Sequence, residues 1–104
     1  MQDGGAVASK DGLSTVELTI VVNGIPSDEK PDGNAIIQDI ADAAIKKAGY
    51  DTTMGWEIKD AGGHIVGEQC KLKDYWQQIM HASKAYHRGK RTLLFVSLRA
   101  GVGA

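Results

Sequence analysis

Thr92-Leu93-Leu94-Phe95-Val96-Ser97-Leu98-Arg99 runs directly into Ala100-Gly101-Val102-Gly103-Ala104. The first part is rich in β-branched and aromatic side chains and reads as a strand. Beyond Arg99 there are only small or simple side chains, up to the last residue of the sequence. Gly101 and Gly103 carry no Cβ and adopt φ values closed to other residues. A strand that delivers such a segment predicts a flexible tail over 100–104, with the terminal carboxylate as its working group. A frayed end without a role is the plainer alternative.

Upstream, Thr15 to Val22 alternates. Val16, Leu18, Ile20 and Val22 share one side, and Thr15, Glu17 and Thr19 share the other, which predicts a half-buried strand. Asn23-Gly24 is the preferred pair for a tight hairpin turn. The returning strand spans Ile25 to Lys30, and Pro26, lacking a backbone donor, places it at an edge. Asp32 or Asn34 then caps a helix. Its stripe is Ile37, Ile40, Ala41, Ala44, Ile45 and Ala48, with Lys46 and Lys47 in the last turn and Gly49 closing it. Trp56 to Lys59 reads as a strand, Asp60 to Gly63 as a turn, and His64 to Val66 as a short partner strand. A second helix runs from an Asp74 cap to His87, with Tyr75, Ile79, Ala82 and Tyr86 as its apolar positions. Met1 to Ser14 holds few large apolar residues and predicts a flexible leader.

The chain has 104 residues, enough for one small domain with a single core. A net charge of −1 argues against nucleic-acid binding, which needs a basic stripe. Arg88-Gly89-Lys90-Arg91 reads as a solvated turn. With Cys70 as the sole cysteine, no internal disulfide forms, and a reducing compartment is expected. No segment has signal-peptide or membrane-spanning character, so the expectation is a cytoplasmic protein away from membranes.

The candidate catalytic residues are unconvincing. Cys70, His64, His81 and His87 lack the spacing of a common zinc set. Cys70 reads as a small hydrophobe, and Trp56 and Trp76 as packing residues. Gly62 to Gly67 lacks the lysine and following helix of a phosphate loop. The expectation is no enzyme, no metal and no bound cofactor.

The order of elements predicts an α+β domain over 15–99. It has a mixed four- to five-stranded sheet, one main helix packed on one face, and an extra helix before the last strand. This order resembles the ubiquitin-like β-grasp fold. Leu72-Lys73-Asp74-Tyr75 is similar to that family's Leu-x-Asp-Tyr turn, and Thr92 to Arg99 to its Thr-Leu-x-Leu-Val-Leu-Arg closing segment. Thr15 to Gly24, Trp56 to Asp60 and the Leu-Arg-Ala-Gly-Val-Gly ending resemble the bacterial ubiquitin-like modifiers more closely. Two departures stand out: the long link between Tyr75 and Thr92, and an ending in Gly101-Val102-Gly103-Ala104 rather than Gly-Gly.

The resemblance implies a protein modifier that is a substrate rather than a catalyst. An E1-like enzyme would adenylate its carboxylate with ATP, and an E2-like enzyme would pass it to target proteins. A JAB-type metalloprotease would first remove Ala104 to expose Gly103; alternatively Ala104 itself is activated. Matching the closing strand from Thr92 puts Leu93 and Phe95 inward. Leu94, Val96 and Leu98 then lie on the open face as a partner-binding row, with Arg99 as an ionic contact. The extra helix covering that row is the competing reading. A sulfur carrier with a thiocarboxylate terminus, or a β-grasp binding module without tail chemistry, are the alternatives in function.

Overall fold

A computed structural model describes residues 15–87 and 91–99. The expected leader at 1–14 and tail at 100–104 lie outside the described residues. The elements are β1 (Leu18–Val22), β2 (Ile25–Glu29), α1 (Ile37–Lys47), β3 (Trp56–Lys59), α2 (Leu72–His87) and β4 (Thr92–Leu98).

The four strands form one mixed sheet in the order β2-β1-β4-β3. β1 pairs antiparallel with β2 and parallel with β4, and β3 pairs antiparallel with β4. The β1–β2 hairpin closes through Asn23 at φ 51° and Gly24 at φ 86°, both in the left-handed region that such a turn requires. β2 is an edge strand, as Pro26 demands. His64 to Val66 does not build a full strand. Ile65 makes an isolated bridge to Lys59, and Val66 N–H donates to Ile58 O at 3.1 Å.

The α1 stripe is buried as its spacing predicts, at Ile37, Ile40, Ala41, Ala44 and Ile45. Gly49 comes after it at φ 91°. The N-terminal cap differs from expectation. Ile36 occupies the cap position without a side-chain bond, and Asp32 instead accepts from Asn34 N–H at 2.8 Å. The orphan donors of the first turn are met from far along the chain. Ile37 N–H donates to Cys70 O at 2.9 Å and Gln38 N–H to Glu68 O at 2.8 Å.

α2 starts at Leu72, two residues before the expected Asp74 cap, which leaves Asp74 in its first turn. Its buried face is Leu72, Trp76, Ile79, Ala82 and Ser83, whereas Tyr75 is half-buried and Tyr86 is 62% exposed. Trp56 and Trp76 are packing residues, both buried.

One cluster joins both helices to Leu18, Ile20 and Val22 of β1, Ile58 of β3, and Leu94 and Val96 of β4. This corrects the expected facing of β4. Leu94 and Val96 are 0% exposed, and Leu98 packs against the same cluster. Leu93 and Phe95 are the half-buried residues of the opposite face. The cause is register: Ile20 sits opposite Leu94 and Val22 opposite Val96, so these pairs share the β1 core side. A one-residue slip inverts every side chain of a strand, so this register against β1 decides which residues of β4 face the core.

Candidate functional site

The residue row expected to bind partners is not a surface. Leu94 and Val96 belong to the core, Leu98 is half-buried against it, and of that set Arg99 alone is exposed. Gly101, Val102, Gly103 and Ala104 lie outside the described residues. The fold does build the point from which those residues depart.

That point is fixed on two sides. Arg99 N–H donates to Gly55 O at 3.0 Å, carrying the β3–β4 pairing one step past Leu98. The Arg99 guanidinium reaches Glu68 Oε2 at 3.4 Å, with the side chains 52% and 25% exposed respectively. Glu68 stands on the loop whose carbonyls cap α1. Within that loop Cys70 N–H donates to Gly67 O at 3.0 Å. A Cβ on Gly67 would lie 2.9 Å from both Cys70 Sγ and Tyr75 Oη, so a side chain there would push Cys70 and Tyr75 aside. No local pattern of residues signals the Arg99–Glu68 contact, because its partners are distant in the chain and Glu68 looks like any surface acid.

The sheet face opposite the helices carries Val21, Leu93, Phe95, Ser97, Glu57 and Lys59, all half-buried. Near the start of β4 this face is polar. Arg91 Nε donates to Thr19 Oγ1, and Thr19 Oγ1 donates to Asp28 Oδ1 at 2.8 Å. Arg91 also lies 3.5 Å from Asp28 and from Glu17. This ladder ties β4 to β1 and β2, and it explains why Thr19 is buried on a face otherwise open.

A third feature is a groove between α2 and the turn after β3, lined by Asp60, His64, Ile65, Gln78, His81 and Tyr86. Asp60 is 2% exposed yet hydrogen-bonded at both oxygens. Its Oδ1 accepts from Gly62 N–H at 2.8 Å and His64 N–H at 3.1 Å, and its Oδ2 from Gln78 Nε2 at 2.8 Å. Burial alone would raise its pKa. The bonds from Gln78, His64 and Gly62, with the nearby His64 imidazole, outweigh burial and hold the carboxyl below its ordinary value. Asp60 is thus a turn-holding carboxylate, tied through both oxygens to the turn and to α2.

His64 and His81 border this groove, while Cys70 is half-buried in the α1-capping loop. The side chain of His87 is outside the described residues. Among the described residues no group of three or more His, Cys, Asp or Glu could hold a metal ion, and no helix is long and apolar enough to cross a membrane. No family model matches the chain, and no curated protein matches it.

Proposed function

We propose that this chain is a ubiquitin-like modifier with a β-grasp fold, whose reactive group is the carboxyl of the segment beyond Arg99. The observation that carries this reading is the sheet order β2-β1-β4-β3, with its first and last strands parallel at the centre. The last strand leads into Ala100-Gly101-Val102-Gly103-Ala104. A central strand is the most firmly held part of a sheet. It offers a rigid handle to an enzyme working on the residues after Arg99.

The chemistry belongs to partner enzymes. In an E1-like enzyme the carboxylate attacks the α-phosphorus of ATP, pyrophosphate leaves, and an acyl-adenylate forms. An enzyme thiolate then displaces AMP, the acyl group moves to an E2-like thiol, and a target amine finally displaces that thiol. The modifier contributes reach and slenderness: four extended residues after Arg99 span at most about 14 Å. A JAB-type protease removing Ala104 would expose Gly103. With Leu94 and Val96 in the core, the face that partners would read is the one bearing Val21 and Leu93, together with exposed Arg99.

The test is adenylation. The cognate E1-like enzyme with ATP should form an acyl-adenylate on the full chain or on the form lacking Ala104. Gly103→Leu should abolish it without altering thermal unfolding. Absence of the adduct on both forms removes this reading.

A further inference from the structure

We propose that Glu68 is a positioning residue for the segment beyond β4. It grips the guanidinium of Arg99, the residue at the described strand end, which precedes that segment in the sequence. This rests on the reading of the terminal segment as the working part, and it adds a regulation of that part from within the fold.

The grip is built from both ends. Glu68 is on a loop that has little freedom, because its own carbonyl and that of Cys70 accept the first helical N–H groups of α1, at 2.8 and 2.9 Å. Its carboxylate is the less exposed partner, at 25%. Arg99 arrives with its backbone already tied to Gly55 O. Thus Arg99 is restrained at its main chain by the turn before β3 and at its side chain by the loop before α2. An enzyme that draws the tail into its site must either keep this grip or replace Glu68 with its own acceptor.

Both groups are partly solvated, so the grip is worth only a few-fold and is weakened by salt. That salt dependence separates it from a packing role. Trypsin supplies the probe, because it must take the Arg99 side chain away from Glu68 to cut the Arg99–Ala100 bond. The readout is the initial rate at which the species ending at Arg99 appears in intact mass, for wild type, Glu68→Gln and Glu68→Asp.

At low salt, Glu68→Gln should be cut about three- to five-fold faster than wild type, the range expected for a partly exposed ion pair. Glu68→Asp should be intermediate, and the difference should vanish near 1 M salt. Exchange of the Gln38 and Ile37 amides should be unchanged, showing the loop intact. Equal rates at low salt overturn the proposal. So does a faster rate that persists at high salt or comes with faster exchange of those amides. The assay involves no conjugation enzyme, so failure here leaves the modifier reading standing, and failure of adenylation leaves this measurement unaffected.

Discussion

Ser83 Oγ accepts the backbone N–H of Leu93 at 2.8 Å while donating to Ile79 O at 2.9 Å. The β3–β4 pairing ends at Lys59 and Phe95, so among the described residues Leu93 has no strand partner on that side of β4. A buried serine on α2 takes the strand's place and docks the helix against the sheet. Ser83→Ala leaves that amide orphaned and should cost about 1–2 kcal/mol, read from the urea midpoint at constant m-value.

The parity of β4 is tested by truncation on its two faces. Leu94→Ala removes a fully buried side chain from the common cluster and should cost about 3 kcal/mol. Leu93→Ala, on the half-buried face, should cost less than about 1 kcal/mol. Reversal of the two values in chemical denaturation would place Leu93 inside and refute the register.

Asp60 makes stability depend on acid. Its folded-state pKa lies below the ordinary 3.8, so the unfolded chain binds the proton more readily. The stabilisation is therefore complete above about pH 4 and is lost as the pH falls through the lowered folded value. Asp60→Asn should flatten this acid limb in melts taken between about pH 2 and pH 5. At neutral pH, Asp60→Ala strands the Gly62 and His64 amides and Gln78, and should cost about 2–3 kcal/mol.

Two glycine substitutions separate a tight site from a yielding one. Gly67→Ala brings a methyl to 2.9 Å from Cys70 Sγ and Tyr75 Oη, and should destabilise by about 1–2 kcal/mol. Gly62→Ala approaches the Tyr86 ring at 2.7 Å, but that ring is 62% exposed and swings away. Its cost should stay within about 0.5 kcal/mol in the same melts.

Where the sequence carried a clean period, it was legible. The α1 stripe, the Asn23-Gly24 turn and the alternation of Val16, Leu18, Ile20 and Val22 all appear as read. β4 had no period to read. Leu93-Leu94-Phe95-Val96 is apolar throughout, so its inward side is chosen by the register against β1, a long-range fact. In α2 the buried line of Leu72, Trp76, Ile79 and Ser83 was hidden because its last member is polar. Tyr75 and Tyr86 supplied a rival line of similar spacing. The α1 cap and the Arg99–Glu68 contact were illegible for the same reason: their partners lie some thirty residues apart in the chain.

Because β4 is inserted between β1 and β3, synthesis cannot finish the sheet from its beginning. Until Thr92 to Leu98 leave the ribosome, the β1–β2 hairpin has a bare inner edge and β3 has no strand beside it. Closing that gap joins segments about seventy residues apart, a slow non-local step that defers folding until translation has passed Leu98. A chain that stops before β4 lacks the strand that joins β1 to β3. The architecture thereby ties a folded body to a completed β4.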